Sequence, residues 1–326
     1  MKNYSVRKYQ STDYVLWNAF VADAKNATFL FHRDFMEYHR DRFIDYSLLI
    51  FDENQNLKAV LPANRVEDVL YSHQGLTYGG LVLSAKSKLQ DVLAITFNLL
   101  RFLYENNISI LNLKQIPSFY TKFPSEEIDY LSFILKAETE RKDTFSVINL
   151  QQEFFLTKGR MEGVKKGKEN KLICKEEDCF EAFWNEILIP NLDHRHGVKP
   201  VHSVNEITYL KSKFPTTIRQ FNVYKEDKIV AGTTVFVAEH VVHSQYISGN
   251  TAKNELGSLD FLHDYLLHEV FADKKYFDFG TSNENKGKNI NQGLLFWKES
   301  FGARTLIQNF YEIPTANYSL LEHVLI

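Results

Sequence analysis

Leu259, Leu262, Leu266 and Val270 recur at helical spacing, so the chain from Ser258 to Asp273 is expected to form a helix with one apolar face. Short apolar runs flank it: one ends in Tyr246-Ile247-Ser248-Gly249-Asn250, the other spans Tyr276 to Phe279. The same order occurs earlier. Leu48 to Gly80 and Phe221 to Asn250 each read as a strand, a polar turn and two further strands. A helix follows both (Leu89 to Asn106, Ser258 to Asp273), then a short apolar strand (Ile108 to Leu113, Tyr276 to Phe279). Leu57 and Ile229 differ by 229 − 57 = 172, and Leu111 and Asp278 by 278 − 111 = 167, a difference that loop variation absorbs. This pattern predicts two copies of one mixed α/β unit, residues 1–150 and 151–326.

The first copy opens with a strand at Tyr4 to Tyr9 and a helix start at Ser11-Thr12-Asp13, and closes with the β-rich run Thr144 to Leu150. The second opens with Gly159 to Lys171, where five Lys or Arg face two Glu. That run fits a solvated helix face, or a contact to phosphate or RNA. An amphipathic helix at Phe180 to Leu188, a polar loop after Pro190 and a helix at Val204 to Lys213 complete the reading. No low-complexity linker separates the copies.

At 326 residues there is length for two cores, and 44% hydrophobic with 24% charged residues is ordinary for a soluble protein. The formal charge of −3 provides no field for DNA or an anionic membrane. The N-terminus has no signal-peptide core, and Leu89 to Tyr104 is too short and too polar to span a bilayer, so a cytoplasmic location is expected. Cys174 and Cys179 alone supply too few ligands for zinc, and no metal is expected.

Candidate chemistry gathers in the second copy. Gly257 and Ser258 precede a helix, where free N–H groups either cradle a phosphate or are simply capped. Strand alternation places His243, Gln245 and Ile247 on one face and Ser244, Tyr246 and Ser248 on the other. His243 is read as a base or as a hydrogen-bonded structural residue, and Tyr246 as a proton donor or a packed ring. Asp278 lies inside an apolar run, a position that calls for a partner or a function; the first copy has Asn112 there. Asn283, Glu284 and Asn285 follow in a loop able to cover a site. Arg195 and His196 stand in a neutral loop. The sequence contains no G-x-S-x-G, H-E-x-x-H or Walker motif.

Asn291 opens a helix that Phe301-Gly302 closes, 302 − 291 = 11 residues apart. Together with the strand, loop, helix and strand before it, this order resembles the acetyl-CoA-binding core of the GNAT acyltransferases. Gly293 to Gly302, GLLFWKESFG, resembles more specifically the Fem-type branch, which builds two GNAT-like halves from one chain. The two-copy pattern covers nearly the whole chain, and the specific wording lies in Gly249 to Gly302. The resemblance implies an N-acyltransferase of cell-envelope or polysaccharide biosynthesis. The acyl group would pass from acyl-CoA or an acyl carrier protein to an amine of an amino sugar or a lipid-linked precursor. It implies Asp278, His243 and Tyr246 as catalytic residues and Ser248, Gly249, Asn254, Gly257, Ser258 and Asn291 at the donor. Tyr78, Gly79, Arg195, His196 and Glu284 would meet the acceptor. The phosphate loop departs from the GNAT pattern, with Asn254 and a single glycine, and the tyrosine often found on the last helix is absent. Aminoacyl-tRNA is the alternative donor, and an inactive binding or scaffold protein the alternative class. On this reading, a bulky residue at Gly257 removes donor binding and leaves the fold intact.

Overall fold

Strand β1 (Ser5–Lys8) runs into a turn closed by the Asp13 carboxylate, which accepts the Gln10 backbone N–H at 2.9 Å, and helix α1 (Tyr14–Asp23) starts there. A four-residue helix, α2 (Arg33–Met36), precedes the hairpin of β2 (Leu48–Phe51) and β3 (Leu57–Leu61). The hairpin turns because Asp52 Oδ1 accepts the N–H groups of Asn54 and Asn56. Then come β4 (Asn64–Val66), β5 (Val69–Tyr71), β6 (Val82–Leu83), helix α3 (Leu89–Glu105), β7 (Ile110–Lys114) and α4 (Glu127–Ile134). The computed structural model describes residues 2–326, except for the side chains of Arg195 and His196.

These elements belong to the first of two compact units, which runs to Asp143 and takes in Ile307–Ile326; the second is Thr144–Leu306. In the first unit β1, β2, β3 and β6 form an antiparallel sheet, while β5 pairs in parallel with β7. Helix α3 buries Val92, Ile95, Leu99 and Leu103 against Leu48, Ile50 and Leu61, the apolar stripe that its 3.6-residue period predicts.

The second unit contains the end of β8 (Glu138–Asn149), helix α5 (Lys158–Glu169) and β9 (Ile173–Glu177). A π-helical segment, Phe183–Leu188, continues as α6 (Ile189–His196), so half of the expected polar loop after Pro190 is helical. Pro190 directly follows the π segment within one continuous helical run, and Gly197 at φ +60° ends the helix. Helix α7 (Val204–Lys213) leads to β10 (Ile218–Lys225), β11 (Lys228–Val237) and β12 (Val241–Gly249). Then follow α8 (Lys253–Leu256), α9 (Ser258–Tyr265) with a π turn at Leu266–Val270, and β13 (Tyr276–Thr281). A small hairpin of β14 (Asn283–Glu284) and β15 (Asn289–Ile290), helix α10 (Gln292–Glu299) and β16 (Arg304–Pro314) complete the chain. The sheet order is β8-β13-β12-β11-β10-β9, antiparallel except for β12 with β13.

Each unit thus has four antiparallel strands, a helix, and a parallel pair formed after that helix. In the second unit one strand, β12, makes both the antiparallel and the parallel contacts; in the first unit β6 makes the former and β5 the latter. The unit limits differ from residues 1–150 and 151–326 at the C-terminus. From Ile307 the chain joins the first unit, where Phe310 pairs with Lys114 and Ile313 with Leu111, and Ile313 and Leu321 enter the first core.

Candidate active site

The parallel pairing of β12 with β13 has three rungs, Val241 with Tyr276, Val242 with Phe277, and His243 with Asp278. Beyond the third rung the strands part: β12 continues to Gly249, and β13 turns at Gly280, whose φ is +70°. His243 and Asp278 therefore stand where the sheet opens. His243 Nδ1 lies 2.8 Å from Asp278 Oδ2, and Asp278 Oδ1 accepts the Gly280 N–H at 2.7 Å. Asp278 is fully buried, whereas the His243 side chain keeps 12% of its surface exposed. An ionised carboxylate only accepts, so it holds the proton on Nδ1 and leaves the lone pair on Nε2. That is the tautomer a general base needs.

Strict alternation would separate His243 from Tyr246, and here the structure corrects the expectation. The β11–β12 register slips between Thr234 and Val235: Ser244 faces Val235, Tyr246 faces Thr234, and Gln245 is the extra residue of a bulge. One inserted residue reverses the parity, so His243 (opposite Phe236) and Tyr246 share a face. Tyr246 is nonetheless committed elsewhere. Its hydroxyl accepts the His202 backbone N–H at 3.1 Å and lies 2.6 Å from His202 Nδ1, and its ring meets Trp184 edge-on at 5.1 Å. Further along β12, Asn191 Nδ2 donates to Ser248 Oγ at 2.8 Å and to the Gly249 carbonyl at 2.7 Å, fastening the strand end to α6.

Gly257 lies between α8 and α9 with φ +68°, and a Cβ there would sit 2.0 Å from the Gly163 carbonyl oxygen. Its lack of a side chain lets α9 approach α5, where Gly163 and Gly167 admit Asp260 and Phe261. Ser258 is buried beside it, and Asn254 is exposed on α8. Asn291 caps α10: its Oδ1 accepts the Leu294 N–H at 3.0 Å and its Nδ2 donates to Glu284 at 3.1 Å. Replacing Asn291 by Ala should therefore lower stability by about 1 kcal/mol in a urea titration, the usual effect of losing a cap. In the first unit, Tyr78 is buried with its hydroxyl 3.0 Å from Thr28 Oγ1. Gly79 approaches so closely that a Cβ would fall 1.5 Å from the Ser72 carbonyl oxygen. Arg195 and His196 lie outside the described side chains.

Two residues beside the opening escaped the sequence reading. Lys298 is 3% exposed and donates to the carbonyls of Gly280 (3.0 Å) and Thr281 (2.7 Å). Burial pushes its ammonium down to about 8 against the pull of Asp278. Its sequence signal is a lysine next to Trp297 and three residues before Phe301, two large aromatic residues that enter the core. His263 is fully buried among Phe277, Phe279, Trp297 and Phe301, and its Nδ1–H donates to the Leu259 carbonyl at 2.8 Å. Desolvation pushes this imidazole down to about 4. As pH falls below about 6.5 the unfolded chain takes up a proton that the folded ring refuses, so stability drops. Between pH 6.5 and 4 the loss should approach about 3 kcal/mol. Denaturant midpoints across that window test this, and His263→Phe should flatten the slope.

Among the described residues no group of three or more His, Cys, Asp or Glu is arranged to hold a metal, and no helix is long and apolar enough to cross a membrane. No protein-family model and no curated protein matches the sequence. Solved structures do. FemX matches at TM-score 0.65 and 9% identity, over 98% of this chain and 99% of its own. A conserved protein of unknown function from Bacteroides thetaiotaomicron matches at TM-score 0.61 and 11% identity, over 96% of this chain and all of its own. L-PGS from Bacillus licheniformis matches at TM-score 0.53 and 12% identity, over 85% and 86%. Identities this low establish fold alone. The chain thus shares its fold with FemX over nearly the whole length of both chains.

Proposed function

We propose that the second unit is an N-acyltransferase, with the His243–Asp278 pair as its general base. The observation that carries this reading is the position of the pair, on the last rung before β12 and β13 separate. The amine nitrogen of an acceptor attacks the acyl carbonyl of a thioester donor while its proton passes to His243 Nε2. The carbon–sulfur bond then breaks and the thiolate leaves. Asp278 holds the ring and stabilises the imidazolium that forms. The bulge at Gln245 takes backbone out of the ladder beside the reacting groups, which suits an N–H donor for the oxyanion. The equivalent rung of the first unit pairs Tyr71 with Asn112, which donates to Glu140 at 2.8 Å, so the His–Asp pair is not repeated there. One reaction site per chain follows.

The donor is a CoA- or carrier-type thioester, and the acceptor an amine of an amino sugar or a cell-envelope precursor. Calorimetric titration with acetyl-CoA, longer acyl-CoAs and an acylated carrier protein tests this, with one donor bound per chain expected. Two donors per chain would overturn the asymmetry. A second reading, aminoacyl-tRNA as donor, draws on the lysines exposed along α5, Lys158, Lys165, Lys166 and Lys168, and on the likeness to FemX and to lysylphosphatidylglycerol synthetase. It takes the place of the first if aminoacyl-tRNA binds and no thioester does.

A further inference from the structure

The antiparallel ladder between β13 and β8 breaks beside the reacting pair. Asp278 faces Val147 and Thr281 faces Phe145, so Phe279 and Gly280 together stand opposite the single residue Ser146. At that bulge Gly280 takes φ +70° and points its N–H at Asp278 Oδ1, 2.7 Å away. A bulge leaves backbone groups outside the ladder, and these need other partners to hold the bend. Lys298 takes the carbonyls of Gly280 and Thr281, at 3.0 and 2.7 Å. One residue further the Ser282 carbonyl accepts the Asn291 N–H at 2.8 Å. The Thr144 N–H of β8 goes instead to a side chain, Asn283 Oδ1, at 2.7 Å.

Asn283 thus takes the place of a strand rung. Its Oδ1 also accepts the hydroxyls of Thr144 at 2.8 Å and Thr281 at 2.9 Å, and its backbone N–H donates to Thr281 Oγ1 at 2.9 Å. Its Nδ2 donates to the Gly287 carbonyl at 3.1 Å, at the far side of the β14–β15 turn. A continuous line of contacts therefore runs from Thr144 on β8 through Asn283 and Thr281 to Gly280 and Asp278. We infer that Asn283 is a positioning residue for the His243–Asp278 pair. By tying Thr281 to β8 it holds the Gly280 N–H on Asp278 Oδ1, which leaves Oδ2 aimed at His243 Nδ1. Its catalytic consequence rests on the reading of that pair as a general base; the geometry it sets does not. Without the tie the carboxylate turns, the Nδ1 proton loses its acceptor, and the neutral ring shares its proton between Nδ1 and Nε2. The hairpin keeps other ties, since β14 still pairs with β15 and Asn291 Nδ2 still donates to Glu284.

The test reads the ring nitrogens of His243 by NMR in full-length protein carrying ¹⁵N-histidine, without ligand, at a pH where the ring is neutral. His243→Gln assigns the signals. In the wild type Nδ1 should carry the proton. Asn283→Ala, and the milder Thr281→Val, should each move the Nε2 signal upfield and the Nδ1 signal downfield as the proton spreads to Nε2. Asn283→Asp keeps the oxygen to which Thr144 and Thr281 donate, and should restore the wild-type pattern. A merely structural residue would lower the urea midpoint and leave the ring signals of the folded protein in place. Turnover of acetyl-CoA should fall by at least about tenfold in Asn283→Ala, with KM unchanged, and recover in Asn283→Asp. Wild-type ring signals in both Asn283→Ala and Thr281→Val, each folded, would overturn the inference. So would an Asn283→Asp ring no nearer the wild type than that of Asn283→Ala. A wild-type chain that turns over no thioester would remove the acyl-transfer reading instead, and the ring signals alone would decide on Asn283.

Discussion

Replacing Asp278 by Asn should lower kcat for acyl transfer by about 10²–10⁴-fold, the range that general-base catalysis contributes, with little change in KM. Both oxygens of the carboxylate accept hydrogen bonds, Oδ2 from His243 Nδ1–H and Oδ1 from the Gly280 N–H. An amide has one oxygen. If that oxygen keeps the Gly280 N–H, the amide NH₂ faces His243 and turns Nδ1 into an acceptor. The ring proton then moves to Nε2, and the base is gone although the shape is retained. Asp278→Ala differs, because it strands a buried imidazole N–H and a buried backbone N–H at about 1–3 kcal/mol each. The two variants separate catalysis from stability: Asn should unfold near the wild-type urea midpoint and be inactive, whereas Ala should lose both. Wild-type turnover by a folded Asp278→Asn protein would remove the pair from the mechanism.

The repeat itself was legible in the sequence, because strand, turn, helix and strand periods survive divergence when each serves a core. Leu259 and Leu262 on α9 and Val92 and Leu99 on α3 follow the same helical period. Asp278 was also legible, as a carboxylate inside an apolar run, and His243 as one of several polar residues on a central strand; the parallel register brings them together. What remained hidden depends on single residues that patterns do not encode. The bulge at Gln245 reverses the strand's faces, and no periodicity announces an inserted residue. The helix continues through Pro190 directly after a π-helical segment, an irregular hydrogen-bond pattern that a reading for helix breakers passes over. The exit of the chain at Ile307 into the first unit is a matter of topology: β16 reads as a strand whichever unit it completes. His39 and His73, 34 positions apart (73 − 39), stack only in the folded chain.

Replacing Gly257 by Val should destabilise the second unit by about 3–5 kcal/mol, contrary to the expectation that the fold would survive it. Two effects add. A β-branched residue at φ +68° is strained by about 1–3 kcal/mol, and its Cβ would sit 2.0 Å from the Gly163 carbonyl oxygen, with Lys166 Cβ at 3.1 Å. The carbonyl belongs to the backbone of α5 and cannot rotate aside, so α9 must move away from α5. That movement would disturb Asp260, paired with Arg160, and Phe261, seated over Gly167. Ala85→Val is the control, because Ala85 is exposed in the corresponding loop of the first unit and should change stability by less than about 0.5 kcal/mol. Donor binding must then be read per folded molecule, by titrating both variants well below the urea midpoint of the weaker one. A Gly257→Val protein that unfolds at the wild-type midpoint yet binds no donor would return Gly257 to the role of a phosphate-binding glycine. A protein that loses stability, and binds donor normally in its folded fraction, makes Gly257 the contact that lets two helices close.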